Sequence, residues 1–126
     1  MQVKDLMVSP VVATTVESDV AYVRELMERK GVSCIPIVGP AGEVKGIITT
    51  DDIIGLPDES LNATEVMARQ VFAVAPTDSV QAAAQEMLSR NVHHLVVMDN
   101  GKLAGMLSSL DFVRMVAEEV PVASRP

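Results

Sequence analysis

The sequence contains few of the residue types on which several classes of protein depend. It has one cysteine, Cys34, no tryptophan, and three other aromatic residues, Tyr22, Phe72 and Phe112. A single cysteine excludes an internal disulfide and suits a reducing compartment, so we expect a cytoplasmic protein. So few aromatic side chains exclude a stacking surface for single-stranded nucleic acid.

Basic residues and long apolar runs are also scarce. The chain has 10 Lys and Arg against 17 Asp and Glu, a formal net charge of −7. Such a chain repels a phosphate backbone, so nucleic-acid binding is not expected. Apolar runs such as Leu95–Met98 are too short to span a membrane. The first residues show no basic segment followed by an apolar stretch, so we expect neither a membrane protein nor a secretory signal.

What the sequence does contain is a repeat. Gly46–Asp52 and Gly105–Asp111 both read as a glycine, two apolar residues, a hydroxyl residue, two spacers and an aspartate. At an offset of 60 residues, 59 after a deletion in a turn, apolar positions of the two halves also coincide. One long period seen twice excludes a solenoid. It predicts a duplicated module, with repeats 1–62 and 63–126 that fold together.

The first half is predicted to contain a strand, a helix, two strands and a helix. Ser18 and Asp19 are suited to cap the first helix, and Gly31 is suited to end it in a left-handed conformation. Alternating and periodic apolar patterns place the elements. They are a strand at Val11–Thr15, a helix carrying Val20, Val23, Leu26 and Met27, and strands at Cys34–Val38 and Val44–Thr49.

The second half follows the same order. Thr77 and Asp78 are predicted to cap its first helix, Asn91 to end it, and Asn100–Gly101 to form a hairpin turn. The other predictions are core positions Val80, Ala83, Ala84, Met87 and Leu88, strands at Leu95–Met98 and Leu103–Leu107, a helix at Ser109–Glu119 with Leu110, Val113 and Val116 facing inward, and a frayed tail at 120–126. The fold class is therefore α/β (α+β), with two pseudo-symmetric β-α-β-β-α repeats packed through their sheets.

Two interpretations account for the repeated hydroxyl and aspartate. Thr49 with Asp52, and Ser108 with Asp111, offer acceptors for the two adjacent hydroxyls of a ribose, and the glycine lets a ligand approach the backbone. The same spacing is that of a helix capping box, with aspartate in place of Glu or Gln. Spacing alone favours the capping box, and duplication does not decide, because a duplicated fold also duplicates its caps.

The order of these segments resembles a CBS-domain pair, also called a Bateman module, over nearly the whole chain. Besides the two glycine motifs, the resemblance rests on Lys4–Met7 and Thr64–Met67 ahead of the first strands, and on Val32–Val38 and Val92–Asp99 at the second strands. No single segment is diagnostic, but their order, present twice, is specific. The resemblance implies a regulatory module that binds adenosine-containing ligands in two clefts between the repeats.

The resemblance also implies the ligand-binding residues. The hydroxyl residue and the aspartate would bind ribose, and aliphatic residues of the first and second strands would hold adenine. One cleft would combine Ala13 and Ser33 with Met106, Ser108 and Asp111, and the other would combine Ala73 and His93 or His94 with Ile47, Thr49 and Asp52. Pro36 is a further expected ligand-binding residue. The family often has Thr or Ser where Val8, Ala68, Ala13 and Ala73 stand here, so fewer hydroxyls are available to a ligand.

The phosphate side of the two clefts is expected to differ. Arg114 lies one helical turn after Asp111 and could reach an anion, whereas Gly55 occupies the matching position after Asp52. A solvated surface charge is an equally good interpretation of Arg114. His93 matches a family position that can face ligand phosphates. His93 and His94 are neighbours on a strand, point to opposite faces and cannot chelate one metal.

Three functions are weighed on this basis. The first is a sensor of AMP, ADP, ATP or an S-adenosylmethionine-like ligand, with no required cofactor and with Mg²⁺ as an optional companion of the phosphates. The second is a ligand-free structural module that forms a homodimer or acts through a separate regulated protein. The third, an enzyme, is disfavoured because no pairing of nucleophile and base, and no metal-ligand spacing, is present in the sequence.

Overall fold

The computed structural model describes residues 1–119, and the predicted frayed tail lies outside them. The architecture is mixed α/β, as predicted. No helix among the described residues is long and apolar enough to cross a membrane. The elements in chain order are α1 (Val3–Leu6), β1 (Thr14–Thr15), α2 (Val20–Lys30), β2 (Cys34–Val38), β3 (Val44–Thr49), α3 (Thr50–Ile53), α4 (Ala63–Val66), β4 (Ala73–Val74), α5 (Val80–Arg90), β5 (His94–Asp99), β6 (Lys102–Ser108) and α6 (Ser109–Glu119).

The chain divides into two compact units that do not follow the repeat boundaries. The first unit comprises Val11–Val71 and Gly101–Leu103, and the second comprises Met1–Pro10, Phe72–Asn100 and the residues from Ala104 onward. Each unit therefore contains the segment that precedes the first strand of the other repeat. The repeat boundaries at 1–62 and 63–126 stay a prediction.

The first unit is built on the sheet β1-β2-β3. Strand β1 is parallel to β2, and β2 is antiparallel to β3. Helix α2 begins as predicted, because the Asp19 carboxylate accepts the Tyr22 N–H at 2.8 Å, and it ends at Gly31 with φ +66°. Buried residues of the helices and sheet form the core: Val20, Val23, Leu26, Met27, Ile35, Ile37, Ile48, Ile53, Ala63 and Met67.

The second unit repeats this arrangement on the sheet β4-β5-β6. Its core contains Val3, Ala83, Met87, Leu95, Val97 and Leu107. Asn91 ends α5 with φ +54°, as predicted, but the predicted cap was wrong. Ser79 caps α5 by accepting the Ala82 N–H at 3.0 Å. Asp78 instead accepts the Ala75 N–H at 2.9 Å and closes the turn that precedes the helix.

The prediction that Leu110, Val113 and Val116 face inward was also wrong. They are 51%, 61% and 57% exposed, and Leu88 on α5 is 83% exposed. Helix α6 instead turns Asp111, which is buried, and Phe112, which packs against the core, toward the second unit's interior. Helical spacing identifies residues that share a face, but it does not say which face meets the core.

The segments that precede the first strands dock in equivalent ways. We call Met1–Pro10 the amino-terminal arm and Leu61–Gln70 the linking arm. In the second unit, Val3 N–H donates to the Asp78 carbonyl at 2.8 Å. In the first unit, Ala63 N–H donates to the Ser18 carbonyl, also at 2.8 Å. These positions correspond at an offset of 60 residues, so the duplication extends to how each arm is held.

Candidate ligand-binding site

The hydroxyl and aspartate of the first motif meet where β3 passes into α3. The Asp52 Oδ2 atom accepts the Thr49 N–H at 2.8 Å and the Thr49 Oγ1 hydroxyl at 3.1 Å. Thr49 is the N-cap of α3 and Asp52 its third helical residue, so the pair forms a capping box. The carboxylate is half-buried and held in one orientation by these bonds.

The second motif has the same geometry at the start of α6. The Asp111 Oδ2 atom accepts the Ser108 N–H at 2.8 Å and the Ser108 Oγ hydroxyl at 3.2 Å. Asp111 is a buried charged side chain, 6% exposed. Its second oxygen, Oδ1, lies 3.6 Å from Arg114 Nη1, and the expected contact of Arg114 with a ligand anion stays a prediction. Gly55, which matches Arg114, instead lies beyond the end of α3 with φ +81°.

The capping interpretation of both motifs is therefore correct, and it is compatible with the ribose-binding interpretation. In each aspartate the cap uses Oδ2 only. A carboxylate has two acceptor oxygens with about four lone-pair sites, so Oδ1 keeps its capacity to accept further hydrogen bonds. The cap thus orients the carboxylate that a ribose diol would require.

The other predicted residues of the first repeat lie along its sheet. Ser33 is exposed, and its carbonyl accepts the Thr50 N–H at 3.0 Å, directly beside the first motif. Pro36 is fully buried in β2, opposite Ile47 of β3. Ala13 is half-buried just before β1. The structure thus brings Ser33 to the motif of its own repeat, and the predicted combination of segments from different repeats stays a prediction.

The predicted residues of the second repeat are arranged similarly. The His93 carbonyl accepts the Ser109 N–H at 2.9 Å, and His93 Nδ1 lies 3.5 Å from Ser109 Oγ. His93 is exposed and His94, the first residue of β5, is half-buried. Ala73 is exposed and pairs with Val96 in β5. His93 therefore places an imidazole beside the second motif, where the first repeat has Ser33.

Ile47 and Met106 pair with the arms. Ile47 exchanges hydrogen bonds with Ala68 of the linking arm at 3.0 and 2.9 Å. Met106 exchanges hydrogen bonds with Val8 of the amino-terminal arm at 3.1 and 2.9 Å. Both residues stand two positions before the hydroxyl residue of their motif. Each candidate site is therefore bordered by an arm at the end of the third strand.

The glycine of each motif has a different role from the predicted one. A Cβ atom on Gly46 would lie 2.6 Å from the Ala68 carbonyl oxygen and 2.6 Å from Met67 Sδ. A Cβ atom on Gly105 would lie 2.5 Å from Met7 Sδ. The prediction that this glycine admits a ligand is corrected, because an arm of the protein itself occupies the space beside it.

Burial beside the first motif keeps the thiol of Cys34 unreactive. Cys34 is buried in β2 and pairs with Thr49. Burial, and secondarily the charge of Asp52, raises the pKa of its thiol to about 12. A thiol that stays protonated is neither a nucleophile nor a metal ligand. Within residues 1–119, no three His, Cys, Asp or Glu side chains converge on a metal site.

The sequence interpretation missed two features that border the motifs. Thr50 and Ser109 were taken as spacers, but both are exposed first residues of helices and donate their N–H to the residue just before the second strand of their repeat. Their signal was available, since both are hydroxyl residues at matching positions. The contact of the arms with β3 and β6 had no such signal, because its hydrogen bonds join main-chain atoms and the partners of Met7 and Met67 lie far away in the sequence.

Comparison with known proteins shows the family to which this duplicated chain belongs. The sequence model of the CBS domain matches residues 3–59 and again residues 63–118. The chain belongs to the CBS domain family. The two glycine motifs, with their capped aspartates, are thus corresponding positions of two CBS repeats, as the resemblance predicted.

Relatives carry this CBS pair in different contexts. The inosine-5′-monophosphate dehydrogenase of Mycobacterium leprae is 32% identical over 121 residues, which are 94% of this chain and 22% of that enzyme. The chain thus spans less than a quarter of that relative's length. Among solved structures, the CBS domain of a CBS domain-containing membrane protein from Sphaerobacter thermophilus is 25% identical, with a TM-score of 0.79 over 90% of this chain and 86% of the other.

A second solved structure is similar over almost its full length. It is the CBS domain pair of protein MJ0100 in complex with 5′-methylthioadenosine and S-adenosyl-L-methionine. It is 24% identical, with a TM-score of 0.89 over 95% of this chain and 98% of the other. This likeness establishes the fold of the present CBS pair.

Proposed function

We propose that this CBS pair is a regulatory module that senses an adenosine-containing ligand, of the AMP, ADP, ATP or S-adenosylmethionine type. The observation that carries the proposal is the doubled carboxylate, Asp52 and Asp111, each oriented by a cap through Oδ2 alone. Each would accept the two hydroxyls of a ribose by charge-assisted hydrogen bonds. The adenosine ligands bound by the similar CBS pair of protein MJ0100 support this ligand class.

A regulatory rather than a catalytic role fits the side chains present. Cys34 is buried with a raised pKa, so the chain's one thiol is not an activated nucleophile. A related segment makes up 22% of the M. leprae dehydrogenase, which supports a module that serves a larger enzyme. We propose that the signal passes to a partner protein in the cytoplasm. Mg²⁺ would enter only with the phosphates of a nucleotide.

The ribose diol gives the sharpest test of this function. Calorimetric titrations with AMP, ADP, ATP and S-adenosylmethionine are expected to detect binding, with the affinity for dATP weaker than for ATP by about tenfold or more, because one charge-assisted hydrogen bond is lost. GTP serves as the control for non-specific nucleotide binding. No heat with any adenosine ligand at millimolar concentration would refute the proposal, and equal affinity for ATP and dATP would refute the role of the aspartates.

The two motifs are expected to differ in their use of ligand phosphates. Arg114 lies beside Asp111 and is well exposed, whereas Gly55 offers no charge beside Asp52. Replacing Arg114 by alanine should weaken ATP binding by about tenfold, the effect of one hydrogen bond to a charged group, and should leave adenosine binding nearly unchanged. Calorimetry with both ligands measures this. Arg29→Ala removes an exposed helical arginine elsewhere and is the matched control. Equal losses for both ligands would contradict the assignment.

A second function, self-association, is favoured by the surface of α6. Leu110, Val113 and Val116 form an exposed apolar stripe, and a two-fold axis would pack this stripe on its copy in a second chain. We therefore propose a homodimer through α6. Val113→Glu should convert the dimer to a monomer in sedimentation equilibrium, while Leu88→Glu, also at an exposed apolar helix position, should not. A monomeric wild-type protein at high micromolar concentration would refute this interface.

A further inference from the structure

The amino-terminal arm is joined to the second motif by main-chain hydrogen bonds. Val8 N–H donates to the Met106 carbonyl at 2.9 Å, and Met106 N–H donates to the Val8 carbonyl at 3.1 Å. The side chain of Met7 covers Gly105, the residue before Met106. Two residues after Met106, Ser108 begins the cap that orients Asp111. The arm thus restrains the strand end from which the candidate ribose-binding groups project.

The first repeat contains the same connection. Ala68 of the linking arm pairs with Ile47, Met67 covers Gly46, and Thr49 begins the cap of Asp52 two residues later. Because both repeats contain this connection, we regard the arm contact as part of the motif's structure. It also provides a matched internal control, since each arm is hydrogen-bonded to the strand that leads into the motif of its own unit.

From this connection we propose that docking of each arm positions the hydroxyl and aspartate of the motif beside it. Arm docking and ligand binding are then coupled, the amino-terminal arm with Ser108 and Asp111 and the linking arm with Thr49 and Asp52. The proposal rests on the ligand-binding function proposed above. The arms are positioning elements, and ligand occupancy is communicated to them.

The physical basis is the loss of restraint when an arm leaves. Undocking of the amino-terminal arm frees the Met106 N–H and carbonyl and uncovers Gly105, a residue with many accessible backbone conformations. The strand end before Ser108 then gains conformational freedom, which ligand binding must remove again. Because linkage is reciprocal, a ligand that prefers the ordered motif stabilises the docked arm by the same factor.

The arm is suited to such an equilibrium. Val3 is its fully buried residue, while Lys4, Asp5, Val8, Ser9 and Pro10 are exposed. The arm contributes Val3 to the core of the second unit, and Leu6 and Met7 pack against it, while the rest of that core lies in other segments. Opening the arm alone therefore costs less than unfolding the unit, and local opening is accessible from the folded state. The arm's own first turn is held by the Gln2 N–H bond to the Asp5 carboxylate at 2.8 Å, so it can dock as a preformed turn.

Proline substitution in each arm tests the coupling. Val8→Pro removes the N–H that bonds Met106, and Ala68→Pro removes the N–H that bonds Ile47. Both preceding residues, Met7 with φ −61° and ψ 151° and Met67 with φ −60° and ψ 147°, have backbone angles that a following proline accepts. The two variants therefore make the same chemical change at equivalent sites.

The measurement is calorimetry with AMP, ADP, ATP and S-adenosylmethionine. Each proline is combined with Asp52→Ala or Asp111→Ala, so that only one motif keeps its aspartate. With Asp52→Ala, Val8→Pro should weaken binding about five- to tenfold, and Ala68→Pro should change it less than about twofold. With Asp111→Ala, the two effects should exchange. Equal or absent effects of the two prolines in variants that remain folded would overturn the coupling.

Hydrogen exchange of the wild-type protein keeps the test independent of variant folding. Saturating ligand should slow exchange of the Val8 and Met106 amides by about fivefold or more. If a ligand binds and these amides exchange at an unchanged rate, the coupling is refuted and the proposed function stands. If none of the four ligands binds the wild-type protein, the proposed function itself fails, and the coupling fails with it.

Discussion

An Asp52→Ala/Asp111→Ala double variant is expected to lose binding of adenosine ligands by at least about a hundredfold. Each aspartate is proposed to accept both hydroxyls of a ribose, and a hydrogen bond to a charged group contributes about 1.5–3 kcal/mol. Asp52→Ala and Asp111→Ala as single variants should each lower the number of bound ligands per chain by one. Isothermal titration calorimetry of the four proteins measures affinity and stoichiometry together.

The caps require a control, because both aspartates also accept the N–H of the residue that precedes their helix. Their removal should cost about 1 kcal/mol of stability per cap, which urea unfolding would record. Asp52→Glu/Asp111→Glu keeps an acid at the third helical position, where Glu is the usual partner in a capping box, but displaces the carboxylate. The glutamate variant should stay folded but bind adenosine ligands only weakly. Asp51→Ala/Asp99→Ala removes two other exposed carboxylates, at a spacer of the first motif and at the end of β5, and should bind like the wild type.

The outcome shows whether the aspartates bind the ligand or only cap helices. Unchanged binding in the alanine double variant would show that the aspartates only cap helices and that any ligand binds elsewhere. Loss of binding in both the alanine and glutamate variants, with the glutamate variant as stable as the wild type, would establish that the carboxylate position is needed for the ligand. Dimerisation through α6 should persist in either case.

Replacing Gly46 by alanine is expected to destabilise the first unit by about 2 kcal/mol. The new Cβ would lie 2.6 Å from the Ala68 carbonyl oxygen. That oxygen accepts the Ile47 N–H at 3.0 Å, so it cannot move away without breaking the pairing of the linking arm. The free energy of unfolding in urea measures the effect.

Gly105→Ala is the matched comparison. Here the nearest atoms to the new Cβ, at 2.5 Å and beyond, all belong to the flexible side chain of Met7. This side chain can rotate aside, so the cost should be less than about 1 kcal/mol. Equal losses for Gly46→Ala and Gly105→Ala would show that the methionines, rather than the carbonyl of Ala68, limit the space beside the glycines.

The local chemistry of the chain was predictable because it depends on neighbouring residues. The cap at Asp19, the left-handed residues Gly31 and Asn91, and the capping geometry of both motifs follow from side chains a few positions apart. The doubled motif likewise predicted two equivalent repeats. The cap of α5 is the exception, since Asp78 and Ser79 are both good capping residues and competed for adjacent roles.

The orientation of α6 was not predictable in the same way. Leu110, Val113 and Val116 formed the obvious apolar stripe, yet they are exposed. The inward residues are Asp111, which accepts the Ser108 N–H, and Phe112, which packs against the core. Which face is buried depends on the neighbours that the fold supplies, and a periodic pattern does not contain that information.

By itself, the sequence determined the duplication, the helix boundaries near their caps, and the pairing of a hydroxyl with an aspartate at each motif. Only the tertiary structure decided that an arm fills the space beside each motif glycine and that each arm docks within the other repeat's unit. The reason is physical: caps and turns are contacts over three or four residues, which spacing encodes. The arm contacts join residues far apart in the chain, through main-chain hydrogen bonds that any residue can make and through the side chains of Met7 and Met67, whose partners the spacing does not reveal.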